Sequence, residues 1–285
     1  MDMKYKNIII LVCIIIVLLL ITLMTGKKPQ TRPIIPIDGL QTIIIQRQND
    51  TTEIEIKNNN YQIVKPISYS GDSSTISYLI RSLQNLKLGE VISKRQEKFD
   101  DFEVGDNGIK LILKGKKETA FYIGRYAGDY QNSYFRFDKD NKVYLVRGLS
   151  KHQVDLKPDD WRDKRILKID KELIEKISID DKEIIKRDTV WLCGDKTIEK
   201  YKIDGVLFSL SDLRATGFSD TSTFQAKNRI KIKTSGGGEF ILEIGEKRDY
   251  SYLVKLPDKP NIFLLSEYTV NNFFNLIAEQ GKKKK

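Results

Sequence analysis

The chain has 285 residues, 40% of them apolar and 31% charged, a balance that suits one or two globular domains and excludes a disordered or collagen-like chain. Its formal charge of +10 suggests a nucleic-acid ligand until it is located along the chain. Residues 1–32 carry five basic side chains against Asp2, and Lys282–Lys285 add four more, so residues 33–281 keep a net charge of only +2. No basic face for nucleic acid is expected.

Residues 8–24, IIILVCIIIVLLLITLM, are apolar apart from Thr22 and are flanked by Lys4, Tyr5, Lys6, Lys27 and Lys28. Such a run is at the short end of a bilayer span and longer than the apolar part of most cleavable signal peptides. Leu23-Met24-Thr25-Gly26-Lys27 offers no A-x-A-like cleavage site. Residues 1–26 are therefore expected to form an uncleaved N-terminal transmembrane helix, which makes the membrane the first partner. Cys13 lies inside this run without the preceding small residues that lipoprotein processing needs, so it reads as a thiol facing lipid or helix. Basic residues flank both ends, and charge alone gives no orientation. Cys13 and Cys193 are not expected to meet in a disulfide. Residues 27–39 contain three of the seven prolines, which predicts a stiff spacer.

From residue 40 the sequence repeats an order of features. Ile43-Ile44-Ile45, Glu53-Ile54-Glu55-Ile56 and Tyr61-Gln62-Ile63-Val64 correspond to Ile177-Ser178-Ile179, Glu183-Ile184-Ile185 and Val190-Trp191-Leu192. A helical face at Ile76, Ile80, Leu83 and Leu86 recurs 127 residues later at Ile203, Leu207, Leu210 and Leu213. Phe121-Tyr122-Ile123-Gly124 pairs with Leu242-Glu243-Ile244-Gly245, and Val143-Tyr144-Leu145-Val146 with Ile262-Phe263-Leu264-Leu265. Each unit reads as two or three antiparallel strands, one main helix, a short strand such as Gly89 to Ser93, and a four-strand meander. Its turns fall at Lys114-Gly115-Lys116, Asp138–Asn141, Ser235–Gly238 and Pro257–Pro260. The fold class is α+β: a first repeat unit over 40–157, a connector over 158–168, a second unit over 169–281 and a basic tail over 282–285. Trp161 is expected to pack inside the connector while its charged neighbours pair with one another.

These parts together resemble the bacterial family known as domain of unknown function 4340. The resemblance rests on the amino-terminal anchor, the repeated unit, the strands around Tyr61-Gln62-Ile63 and Val190-Trp191-Leu192, and helices opening at Asp72 or Asp204. It also includes the Ile-Gly strand ends at 123–124 and 244–245 and the connector Trp161-Arg162-Asp163-Lys164-Arg165-Ile166-Leu167. A Gly-Leu-x-x-Pro-like element of the family is replaced here by Phe102–Asp106 and Phe224–Asn228. The resemblance implies a signal-anchored, extracytoplasmic domain at the inner cell membrane, single-pass, working beside ABC-2-type export systems of the gliding kind. Transporter subunits are then the expected partners. No catalytic residue comes with the family, and the implication is one of association.

The residues themselves offer little chemistry. His152 is the only histidine and Cys193 the only cysteine outside the anchor, so no zinc site is predicted. No phosphate-binding G-x-x-x-x-G-K-[ST] and no G-x-S-x-G is present. The pairs Asp100-Asp101, Asp159-Asp160 and Asp180-Asp181 read as solvated turns, or as carboxylates for glycoside chemistry; Asp159, Asp160 and Asp163 could also hold a divalent cation loosely. No cofactor is expected and no enzymatic activity is assigned. Residues 121–137 hold seven aromatics, which either pair across a hairpin or present an exposed stacking surface. The candidate interaction surface is Tyr126, Tyr130 and Tyr134, with Trp161 and Arg162 of the connector. Val270, Phe273, Phe274 and Ile277 predict a terminal helix, docked on the second unit or lying at lipid headgroups. The expected function is non-catalytic binding and scaffolding; the alternative is a membrane-anchored hydrolase or carbohydrate-binding protein.

Overall fold

The structure, a computed structural model, describes residues 12, 14–16, 34–58 and 60–278. Residues 12 and 14–16 are helical; the rest of the predicted anchor, Cys13 and the basic tail lie outside the described residues. Among the described residues no helix is long and apolar enough to cross a membrane.

The first repeat runs β1 (Thr42–Gln46), β2 (Thr51–Lys57), β3 (Asn60–Lys65), β4 (Tyr69–Ser70), α1 (Ser73–Gln84), β5 (Lys87–Ser93), β6 (Ile109–Lys114), β7 (Glu118–Tyr126), β8 (Ser133–Phe137) and β9 (Val143–Arg147). The connector contributes a 3₁₀ turn, Pro158–Trp161, and β10 (Arg165–Leu167). The second repeat follows with β11 (Ile174–Ile179), β12 (Lys182–Arg187), β13 (Val190–Cys193), β14 (Lys196–Thr197), α2 (Lys200–Ser211), β15 (Leu213–Arg214) and β16 (Gly217–Phe218). It ends with β17 (Asn228–Thr234), β18 (Glu239–Arg248), β19 (Ser251–Lys255), β20 (Ile262–Ser266) and α3 (Glu267–Ala278).

The strands make two nine-stranded, mainly antiparallel sheets, in the orders β4-β3-β2-β1-β6-β7-β8-β9-β5 and β14-β13-β12-β11-β17-β18-β19-β20-β16, plus a β10-β15 ribbon. The two orders are the same strand for strand, so the duplication read from the sequence is present in the topology. Packing divides the chain differently. One compact unit holds the described residues up to Asp50 with Ser77–Asp155, and the other holds Thr51–Ile76 with the residues from Leu156 onward.

In the first of these units, Ile43 and Ile45 of β1 lie opposite Leu113 and Leu111 of β6, and Leu111 lies opposite Phe121 of β7. All five are buried, because alternate residues of a strand share a face. Phe121 stacks on Phe135 at 5.0 Å between ring centroids.

The second unit has its own core, which includes Ile177, Ile230, Leu242, Ile244 and Phe263. Asp180 closes the β11–β12 hairpin with φ +50°, a conformation that Asp tolerates in tight turns, and its carboxylate accepts the Arg229 main-chain N–H at 2.8 Å. The acidic pair Asp180-Asp181 is thus a turn. Val270, Phe273 and Leu276 of α3 are buried, with Phe274 and Ile277 packed against the same core.

The helices follow the predicted 127-residue offset but are rotated slightly from the expected face. Ile76, Leu79 and Leu83 of α1 are buried, as are Ile203, Val206 and Leu210 of α2, whereas Ile80 and Leu207 are only half-buried. The buried arc is centred between positions i and i+3, not between i and i+4. Asp72 precedes α1 and caps it, its carboxylate accepting the Thr75 N–H at 2.9 Å. The second expected helix start is corrected: α2 follows Glu199, which leaves Asp204 inside the helix.

Candidate functional site

The connector is laid along the edge strand β4. Gly71 and Arg162 form an antiparallel bridge, Asp72 N–H donates to the Trp161 carbonyl at 2.7 Å, and Asp163 N–H donates to the Ser70 carbonyl at 2.8 Å. Gly71 leaves room for the first turn of α1 against β4, since a β-carbon there would lie 2.5 Å from Ile76 Cδ1. Trp161 has no exposed surface and Arg162 is 6% exposed. Trp161 thus packs inside, as expected of the connector, and neither it nor Arg162 forms part of an exposed interaction surface. The Arg162 guanidinium lies against two rings that meet edge to face, 3.5 Å from the Phe218 centroid and 4.4 Å from that of Tyr69, and bonds Asp159 at 2.7 Å. Burial pushes the Tyr69 phenol up.

The acidic residues of the connector are engaged by basic ones. Asp160 pairs with Lys164 at 2.9 Å, and Asp163 lies 3.5 Å from Arg214, which bonds Asp72 at 2.5 Å. Arg165 bonds Asp212 at 2.7 Å, and that hydrogen bond holds the Asp212 carboxyl below the usual range. Among the described residues no group of three or more His, Cys, Asp or Glu is placed to hold a metal ion. His152 is exposed, on a 3₁₀ turn, and Cys193 is buried in β13.

The aromatic run divides between core and surface. Phe121 and Phe135 are buried, Phe137 stands edge-on to Phe135 at 4.8 Å, and Tyr134 packs on Phe102 at 4.5 Å. Tyr126 is 40% and Tyr130 82% exposed, so of the five residues proposed as a surface these two present their rings to solvent. Tyr130 has φ +54° in the turn between β7 and β8. Asp129 holds that turn by accepting the N–H groups of Gln131 and Asn132, each at 3.0 Å. These bonds, that from Asn132 foremost, keep its carboxyl low. Sequence reasoning missed Arg136 in the same hairpin. Its buried guanidinium lies 4.3 Å from the ring centroids of both Phe99 and Tyr122, and it donates to the carbonyls of Val104 at 2.8 Å and Asp138 at 3.0 Å.

A groove of about 900 Å³ runs beside β14 and the first two turns of α2. Trp191, Ile198, Ile203 and Leu207 form its apolar lining, Val190 and Phe208 stand at it, and Glu199, Lys200 and Asp204 supply charge. Phe208 is 76% exposed and Val190 45%, an unusual pair of apolar groups to leave in water beside a concave surface. Glu199 accepts hydrogen bonds from Tyr201 and Lys202, which lower its pKa, that from Tyr201 more strongly. No sequence signal marked this groove, because its lining comes from a strand, a turn and a helix.

A family profile described as a domain of unknown function (DUF4340) matches residues 62–232, more than half of the chain. The chain belongs to the DUF4340 family. No curated protein and no solved structure matches it. The DUF4340 match begins in β3 and ends in β17, so it includes the connector seat on β4 and the whole lining of the groove.

Proposed function

We propose that the chain is a non-catalytic binding and scaffolding module, held at the inner cell membrane by its amino-terminal apolar segment and serving an ABC-2-type envelope transporter as an accessory. The observation that carries this reading is the groove beside β14, where an apolar lining and the exposed Phe208 and Val190 favour a macromolecular partner. Of the acidic pairs that could serve glycoside chemistry, Asp159 is engaged by Arg162 and Asp160 by Lys164, and Asp180 holds a turn. Attachment to the membrane rests on residues 8–24, and the extracytoplasmic location and the transporter partner rest on the family resemblance.

The test is affinity capture of the intact protein from detergent-solubilised native membranes, compared with a chain lacking residues 1–26 and with Phe208→Asp. Transporter subunits recovered in stoichiometric amount with the intact chain, and lost with Phe208→Asp, are the expected result. Recovery of the protein alone from all three preparations would overturn the accessory reading.

A further inference from the structure

The two repeats carry the same edge, and among the described residues only one of the edges is covered. In the first, Gln62 pairs with Ser70 and Ile63 with Tyr69, and Gly71 N–H bonds the Tyr61 carbonyl at 2.8 Å. In the second, Leu192 pairs with Thr197 and Cys193 with Lys196, and Ile198 N–H bonds the Trp191 carbonyl at 2.8 Å. The register is identical, so Ser70, Gly71 and Asp72 correspond to Thr197, Ile198 and Glu199. On β4 the outer hydrogen-bonding groups are taken by the connector, through the Ser70 carbonyl and the Asp72 N–H. On β14 the equivalent groups, the Thr197 carbonyl and the Glu199 N–H, have no main-chain partner among the described residues, and the groove lies beside them.

We propose that β14 accepts an extended segment of a partner protein as an added antiparallel strand, the segment carrying a large aromatic residue next to a basic one, as Trp161-Arg162 does on β4. An edge strand with a free acceptor and a free donor two residues apart is a template for strand addition, and pockets beside the edge give such binding its selectivity. Side chains of the added strand alternate between faces, so every second one turns toward the groove. Its aromatic lining suits a ring or a guanidinium, and four carboxylates, Glu172, Asp188, Glu199 and Asp204, against Lys171, Lys186 and Lys200 leave it a slight net negative charge for a basic side chain. The connector supplies the chemistry of the occupant because it is what the first repeat holds at the matching place. The inference rests on the binding-module reading above and names the partner's recognition element.

The probe is a synthetic peptide of connector residues 157–164, labelled and titrated into the full chain in detergent by fluorescence anisotropy. Glu199→Pro removes the donor while keeping the backbone, since Glu199 has φ −61°, close to the proline value, and its carbonyl still accepts from Lys202 and Ile203. Glu199→Ala keeps the donor and removes the carboxylate. Saturable binding is expected, weakened about tenfold by Glu199→Pro relative to Glu199→Ala, weakened likewise by Phe208→Asp, and abolished when alanine replaces the tryptophan of the peptide. Amide exchange across residues 196–201 slows in the complex. No saturable binding, or equal binding by the Pro and Ala variants of matched thermal stability, overturns the proposal. The two readings separate: capture of transporter subunits undiminished by Glu199→Pro sinks strand addition alone, whereas peptide binding with no transporter subunits captured sinks the accessory role alone.

Discussion

Trp161→Ala is expected to loosen the connector seat by a predictable amount. The side chain is fully buried, and its main-chain carbonyl, which accepts from Asp72 N–H, is unaffected by truncation. The loss is therefore confined to packing. A buried tryptophan removes roughly 150–250 Å² from water, which at about 25 cal/mol per Å² bounds the loss near 4–6 kcal/mol, and measured Trp→Ala changes are about 3–5 kcal/mol. At about 2–4 °C per kcal/mol for a domain of this size, the melting temperature should fall by roughly 6–20 °C. Among the described residues the indole Nε1 has no hydrogen-bond partner, so Trp161→Phe forfeits volume alone and should cost less than half as much. Thermal unfolding of the full chain in detergent, followed by near-ultraviolet circular dichroism, measures all three proteins. A fall below about 2 °C for the alanine variant, or equal losses for Phe and Ala, would refute the reasoning.

Three further outcomes are expected. A β-carbon at Gly124 would lie 2.0 Å from the Phe102 carbonyl, while one at Gly245 would first meet the Phe224 ring at 2.9 Å. Gly124→Ala should thus cost about 3 kcal/mol or more and Gly245→Ala about 1 kcal/mol in denaturant titrations, because a ring can turn aside and a crossing main chain cannot. Asp138 pairs with Lys110 at 2.7 Å, a hydrogen bond that lowers the Asp138 pKa, so its contribution is present above the ordinary carboxylate value and is lost as pH falls through the depressed one. Asp138→Asn should therefore lower the melting temperature at pH 7, with the difference from wild type shrinking as pH falls below the ordinary carboxylate range; a difference independent of pH contradicts the pairing. Tyr130→Gly should be tolerated and Tyr130→Val should cost about 1 kcal/mol, since a β-branched residue resists φ +54°, and equal melting temperatures would count against that strain.

The duplication was legible because burial repeats: Ile76, Leu83 and Leu86 recur at one offset with Ile203, Leu210 and Leu213, and all six are buried. The Ile-Gly pairs were legible as a motif but not as a reason. Gly124 passes under the Phe102 carbonyl and Gly245 beside Phe224, so the loop ahead of each meander crosses the sheet where a side chain is missing. That loop is where the sequence departs from the family's Gly-Leu-x-x-Pro-like element. The connector's charges paired as expected, but the fate of Arg162 depended on Phe218 and Tyr69, each more than fifty residues away in sequence. Arg136 was invisible for the same reason in stronger form, since its acceptors are main-chain carbonyls that no residue type announces. The groove was hidden because the sequence shows apolar periodicity but not which apolar side chains stay uncovered.

The two arginines packed on aromatic rings should part company as ionic strength rises. Arg162 is neutralised by Asp159, whose side chain is 42% exposed and open to competing ions. Arg136 is solvated by peptide dipoles at close range, with no carboxylate in ion-pair distance among the described residues. Dissolved salt weakens the first kind of contact within a Debye length and scarcely reaches the second. The aromatic hairpin would then keep its form in brine, while the strap across β4 would answer to the ionic composition of the compartment it faces.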